Sequence, residues 1–285
     1  MTKNNQKLNI VFFGTPEFSV KILEKMKESG FSPALIITTP DKPKGRNLIL
    51  TPPPTKIWAE KNKIPVLQPT KLKDPEFLTK MNQTNWDLFV VASYGKIIPK
   101  EILDMPKHQT INVHPSLLPR LRGASPMQSA ILTEEKTGMT IMLMDVEMDH
   151  GDILMQKELE IDVWPIKIDI LENLLAEIGG KMLVETIPLW VEGKIKPQPQ
   201  DHEKATYIEK INKEETLIDL KESPEKNYRK ILALQNFKPY FFTERNGKKI
   251  RIIIKDARLE NGELKITRVI PEGKKEMDYQ DFLRG

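Results

Sequence analysis

The 285-residue chain contains no cysteine. That excludes disulfides, thiolate nucleophiles and cysteine-ligated zinc, and gives no sign of export. It has no apolar run near the ~20 residues needed to span a bilayer, so no membrane is expected as a partner. The N-terminal Met1-Thr2-Lys3-Asn4-Asn5-Gln6-Lys7 is polar and runs straight into a strand-like segment. It is not a signal peptide, and the cytoplasm is the expected compartment. Glycine is sparse where a dinucleotide site would need it. Gly14 follows the first strand alone, without the Gly-x-Gly-x-x-Gly pattern. Histidine is scarce too, at four residues.

The remaining composition is that of a packed protein: 39% hydrophobic and 29% charged residues leave no reason to expect disorder. The length allows one large domain, or a medium one plus a small one. Net charge is +4, and from Ala205 onward 18 basic residues face 14 acidic ones, so the excess sits in the last third. A mildly basic terminal module suits a nucleic-acid partner, although charge alone does not establish one.

Leu8-Asn9-Ile10-Val11-Phe12-Phe13 reads as a buried strand. Pro16 suits the first helical position, and Phe18, Val20, Ile22, Leu23 and Met26 give a helical face up to Gly30. Ala34 to Thr38 is a second strand, so the chain opens with a βαβ unit and a parallel sheet. Thr39 to Thr55 reads as a long basic loop, with four prolines between Pro43 and Pro54; long ordered loops are usually functional. Lys56 to Asn62 is expected to be helical, Ile64 to Leu67 a short strand, and Asp74-Pro75-Glu76 a helix start. Asp87 to Ala92 is expected as a buried strand and Ser93 to Pro99 as a loop. Thr137 to Asp145 reads as a strand, and Ile168 to Trp190 as one long helix covering the sheet. From Ile208 the character changes to short strands with Asn246-Gly247 and Asn261-Gly262 hairpin turns.

The most informative stretch is Asn112-Val113-His114-Pro115-Ser116-Leu117-Leu118-Pro119-Arg120. Strand alternation puts Asn112 and His114 on one side and Val113 on the other. Pro115 cannot donate to a ladder, so the strand should end there. A carboxamide and an imidazole then stand together at a strand's C-terminal end, where open α/β sheets bind ligands. Ser116 to Pro119 should turn beside them.

Asn-x-His at a strand end is ordinary by itself. The longer run, continuing through Arg122-Gly123-Ala124-Ser125-Pro126-Met127-Gln128, resembles the formyltransferases that use 10-formyltetrahydrofolate, and among them the branch acting on methionyl-tRNA. Phe13-Gly14-Thr15-Pro16, Asp145 to Asp152, Gln200-Asp201-His202 with Lys204 to Tyr207, and the closing Asp281 to Gly285 are similar to the same branch. The resemblance thus covers nearly the whole chain. It implies a Rossmann-like catalytic domain over residues 1–190, a linker over 191–207, and an OB-like β-barrel that binds tRNA over 208–285. It implies Asn112, His114 and Asp149 as catalytic residues. Ser116, Leu117, Leu118 and Pro119 would be a folate-contacting turn, with Tyr94 and Gly95 as neighbours of the pteridine. The basic insertion would meet the acceptor end of initiator tRNA through Arg46, with Lys42 and Lys44 on phosphates. Two positions depart from the family pattern: Met148 stands for a common leucine and His150 for a common threonine.

The reaction so implied moves a formyl group from N10 of the folate to the α-amine of methionine on initiator tRNA, giving N-formylmethionyl-tRNA for translation initiation. It needs an oxyanion donor and a route for the amine proton. Asn112 is a donor that does not titrate, and His114 can donate or relay a proton. Asp149 would fix the ring's tautomer. No metal is expected: adjacent residues such as Asp149 and His150 rarely point at one ion, and Asn112 is a poor ligand. Ser116 lacks the Gly-x-Ser-x-Gly elbow of a nucleophile. A monomer is expected. An amino-sugar formyltransferase on the same catalytic domain is the nearest rival; a noncatalytic RNA-binding protein is a more distant one.

Overall fold

A computed structural model describes residues 8–284 except Arg46, Lys213 and Asn246. In chain order the strands of the N-terminal half are β1 (Ile10–Gly14), β2 (Leu35–Ile37), β3 (Lys42–Lys44), β4 (Ile49–Thr51), β5 (Val66–Leu67), β6 (Leu88–Ala92), β7 (Thr110–His114), β8 (Arg122–Gly123), β9 (Thr137–Leu143) and β10 (Ile153–Leu159). The helices among them are α1 (Glu17–Glu28), α2 (Pro54–Lys61), α3 (Pro75–Asn82), α4 (Lys100–Leu103) and α5 (Pro126–Thr133), followed by α6 (Ile168–Val191). Seven strands form one sheet in the order β10-β9-β7-β6-β1-β2-β5. β1, β2, β5, β6 and β7 run parallel, and β9 pairs antiparallel with β7.

The near-continuous apolar strands require cover on both faces. On one face Val11 and Phe13 of β1, Leu35 and Ile37 of β2, and Phe89 and Val91 of β6 pack with Phe77, Met81 and Trp86. Val91 is paired with Asn112, so this is also the face toward which Asn112 and His114 point. The opposite face carries Val113, and α6 lies against it. A Cβ added at Gly179 would come within 3.1 Å of Val113 and 2.8 Å of Met139. Leu171, Leu175, Met182, Leu183 and Ile187 of α6 are buried, as a covering helix demands, while Leu174 is exposed.

Chain contacts separate two compact units. The first comprises the chain up to Arg122, Gly138–Leu159 and Asn173–Tyr207; the second comprises Gly123–Thr137, Glu160–Glu172 and Ile208 onward. The second unit contains α5, β12 (Tyr240–Arg245), β13 (Lys248–Glu260), β14 (Glu263–Pro271) and β15 (Met277–Asp278), which form a four-stranded antiparallel sheet in sequence order. β11 (Tyr207–Ile208) precedes it in the chain, and α7 (Pro224–Ala233) and α8 (Tyr279–Arg284) accompany it. Its core is Ile218, Ile231, Phe241, Ile252, Ile254, Val269 and Phe282.

Three local readings change. The Pro-rich stretch 39–55 is not an unstructured loop but contains the β3–β4 hairpin, with Pro43 opposite Leu50. A two-strand ribbon is all edge, so proline costs no central ladder bond. Gly45 at φ +73° and Leu48 at φ +48° make the reversal. β10 and α4 form where no regular element was expected. Helix α1 begins at Glu17, with Pro16 in the capping position.

Within the second unit, Arg229 of α7 donates from Nη1 to the Ile131 and Glu134 carbonyls at 3.1 and 2.9 Å, and from Nη2 to Glu135 at 2.7 Å. These are carbonyls that the end of α5 leaves without helical partners. Arg229→Met should therefore destabilise the protein by about 2–3 kcal/mol in urea unfolding; a change within ~0.5 kcal/mol would mean that water satisfies those carbonyls instead.

Candidate active site

β7 supplies two of the three central side chains. Asn112 and His114 are buried, and Pro115 ends the strand as its missing donor requires. The third comes from the loop between β9 and β10. Asp149 Oδ1 lies 3.4 Å from Asn112 Nδ2 and 3.5 Å from His114 Nδ1. One carboxylate oxygen is thus shared between a carboxamide and an imidazole. His114 Nε2 lies 3.2 Å from the Leu121 carbonyl. Each ring nitrogen faces an acceptor, so a neutral ring can serve only one, whereas the protonated ring can donate to both. All three residues that sequence reading singled out meet at one point.

The backbone here is unusual. Asp149 sits at φ +51°, Leu121 at +60° and Ser93 at +51°. Left-handed non-glycine residues cost of order 1 kcal/mol or more, and persist where the surroundings over-determine them. The loops at the strand ends are tied accordingly. Ser19 Oγ donates to the Ala92 carbonyl at 2.6 Å and Thr15 Oγ1 to the Tyr94 carbonyl at 3.0 Å, which joins the turns after β1 and β6.

The Ser116–Pro119 turn is present, but much of its polarity is spent internally. Ser116 N donates to the His114 carbonyl at 3.0 Å, Leu118 N to Thr140 Oγ1 at 3.3 Å, and Gln156 Nε2 to the Leu118 carbonyl at 2.8 Å. Ser116 and Leu118 are buried, whereas Leu117 and Pro119 are half-buried. Beside the Asp149 loop lies a cavity of about 270 Å³, bounded by Leu103, Leu143, Met144, Asp145, His150 and Asp152.

Tyr94 does not sit in an accessible pocket. It is 2% exposed, packs edge-on against Phe13 at 5.5 Å, and its hydroxyl has no hydrogen-bond partner among the described residues. Burial pushes that hydroxyl's pKa up to about 12. Gly95, at φ +79°, has open space around it. Lys42 and Lys44 are exposed on β3, while Arg46 lies outside the described residues. The base of the hairpin is anchored by Asp41, which pairs with Lys56 at 2.9 Å and accepts from Gln68 at 2.7 Å. The Gln68 hydrogen bond and the Lys56 contacts hold its carboxyl below the usual range. Among the described residues no group of three His, Asp or Glu side chains could hold a metal ion.

Sequence reading missed Arg122 and Gln200. Arg122 is 1% exposed, and its partners are Gln200, His202 and Tyr207, some 80 residues away. No local spacing signals such a convergence; the only trace is a charged residue inside an otherwise motif-like run. His202 is exposed but hydrogen-bonded to Arg122.

A family model described as formyl transferase matches residues 8–187. The methionyl-tRNA formyltransferase of Halalkalibacterium halodurans is 40% identical, with 98% of this chain and 95% of that protein covered. That of Bacillus subtilis strain 168 is also 40% identical, covering 97% and 94%. Among solved structures, a methionyl-tRNA formyltransferase from Clostridium thermocellum matches with a TM-score of 0.60 at 20% identity, over 95% of this chain and 99% of that one. A sugar N-formyltransferase from a Shewanella species gives 0.62 at 19%, over 86% and 96%. At these identities the structural likenesses speak for the fold alone.

Because the Tyr94 hydroxyl is buried without a partner among the described residues, Tyr94→Phe should leave stability unchanged or raise it by up to ~1 kcal/mol. A loss above 1 kcal/mol in thermal or urea unfolding would show that the hydroxyl does find a partner in solution.

Proposed function

Because the chain belongs to the methionyl-tRNA formyltransferase family, we propose that Asn112, His114 and Asp149 carry its formyl transfer and that the acceptor is the initiator methionyl-tRNA. The reaction uses formyl-tetrahydrofolate as co-substrate and methionyl-tRNA as acceptor. The observation that carries the assignment is the single Asp149 oxygen within 3.5 Å of both Asn112 and His114 at the C-terminal end of β7.

The chemistry follows from these groups. The α-amine nitrogen bonds to the formyl carbon, the bond from that carbon to N10 breaks, and the amine proton ends on N10. Asn112 Nδ2 donates to the oxygen where negative charge collects, a contribution worth about 3–4 kcal/mol in comparable sites. His114 relays the proton or adds a second donor. Asp149 orients the ring and balances its charge when protonated. No covalent enzyme intermediate is needed.

The folate is held by the 116–119 turn. Ser116 and Leu118 set the shape of the turn, since their side chains are buried and their backbone groups are bonded within the protein, and Leu117 and Pro119 offer contact surface. The β3–β4 hairpin meets the acceptor end of the tRNA through Lys42 and Lys44, and Arg46, close to them in sequence, contacts it as well. Leu48, Ile49 and Leu50 stand exposed on the same hairpin and add apolar surface for it. The catalytic domain lies within residues 1–190, apart from 123–137 and 160–172, which cluster with the C-terminal unit; the OB-like module at 208–285, joined by linker 191–207, binds the tRNA body. The enzyme works as a cytoplasmic monomer.

Formyl transfer from 10-formyltetrahydrofolate to initiator and elongator methionyl-tRNA, compared across variants, tests this. Strong initiator preference is expected, with a hundred- to thousandfold loss of kcat in Asn112→Ala and near-complete loss in His114→Ala. Arg46→Ala should raise KM for tRNA while sparing folate binding. A folded protein that binds folate yet formylates neither tRNA, but does formylate an amino sugar, contradicts the acceptor assignment.

A further inference from the structure

The loop that carries Asp149 is gripped from outside the site by residues with no direct part in the chemistry. Gln200 Nε2 donates to the Asp149 carbonyl at 3.0 Å and to the Gly151 carbonyl at 2.7 Å. Its other end, Oε1, accepts from Arg122 Nη2 at 2.7 Å and Nε at 3.2 Å. Gln200 is 5% exposed and Arg122 1%, so neither contact is shared with bulk water. A planar amide between a guanidinium fork and two carbonyls can satisfy all these groups in one orientation only.

A second arm reaches the same loop. Arg122 Nη2 is 2.8 Å from His202 Nδ1. The His202 ring stacks on His150 at 4.1 Å between centroids and 7° between planes, and His150 Nδ1 lies 2.7 Å from Asp145 Oδ2. On the far side, Gly151 is pressed against β9: a Cβ there would sit 2.2 Å from the Leu143 carbonyl. Leu143 N donates to the Asp152 carbonyl at 2.8 Å. The left-handed Asp149 is therefore held between β9 and the Arg122–Gln200–His202 cluster.

We propose that Gln200, buttressed by Arg122, is a positioning residue that holds the Asp149 loop so that its carboxylate reaches Asn112 and His114, with the His150–His202 stack as a second brace. This rests on Asp149 acting in the transfer as assigned above. It explains why a buried arginine is surrounded by neutral partners: its role is to orient an amide. It also gives His150 a use distinct from proton transfer, since a threonine at that position could not stack. Misplacement of a reacting group by about 1 Å can cost up to a hundredfold in rate, so the clamp should act on kcat more than on KM.

The test compares Gln200→Glu, Gln200→Leu, Asp149→Asn and the Asp149→Asn/Gln200→Glu double variant in the full-length enzyme, with formyl transfer to methionyl-tRNA and thermal unfolding measured on each. Gln200→Glu keeps the acceptor for Arg122 but sets a carboxylate oxygen against the two carbonyls; Gln200→Leu removes both donors without adding charge. Each should lower kcat by roughly 10- to 100-fold, with KM for folate and tRNA within about threefold. The double variant should lose no more than Asp149→Asn alone, because Gln200 acts through Asp149. A kcat within twofold of wild type in a folded Gln200 variant overturns the proposal, as does a double variant whose loss is the product of the two single losses. If Asp149→Asn itself keeps full activity, the assignment of Asp149 fails first, and the two failures are told apart in one experiment.

Discussion

The structure turns on one carboxylate oxygen meeting two side chains of a strand end. Asp149 Oδ1 contacts both Asn112 and His114, which lie two residues apart on β7 and so project to the same side. The β9–β10 loop leaves the sheet beside Thr110 and Ile111, so for an aspartate 35 residues after His114 to arrive there it must turn back toward the Asn112–His114 end of β7. The chain meets that demand with a left-handed residue at the aspartate itself. Strain of this kind stays only where neighbours fix it.

Much of the rest can be understood as support for that meeting. The parallel strands are buried on both faces, which makes β7 a rigid platform. α6 closes the Val113 face, leaving the Asn112 and His114 side chains on the opposite face toward their partner. The turn after Pro115 spends its own amides and so holds shape without ligand. Arg122, Gln200 and His202 bring in a segment from the end of the first unit to brace the loop. The buried Arg122–Gln200 part of that network is fully satisfied, and such networks are rigid, the property a site built on a strained loop requires.

The sequence disclosed the platform more readily than the brace. Alternation in Thr110 to His114, the stop at Pro115 and the helical face of α1 are local patterns, and local patterns survive reading one residue at a time. The resemblance then brought Asp149 to the pair, which spacing alone could not do. The β3–β4 hairpin was hidden because prolines argue against strands except in ribbons with no inner position. Arg122 and Gln200 were hidden for a different reason: their meaning arises from side chains that are neighbours in space but 78 residues apart in the chain. The same holds for residues 123–137 and 160–172, which belong with the C-terminal unit although nothing in their composition sets them apart.

The most direct measurement of the central claim is a double-mutant cycle on formyl transfer, with His114→Ala, Asp149→Asn and the two combined, read as kcat/KM for methionyl-tRNA. If the carboxylate works through the imidazole, the combined variant should lose little more than the worse of the two single variants. Losses that simply multiply would mean that Asp149 and His114 act independently, and the shared oxygen would then be an accident of packing and not the centre of the site.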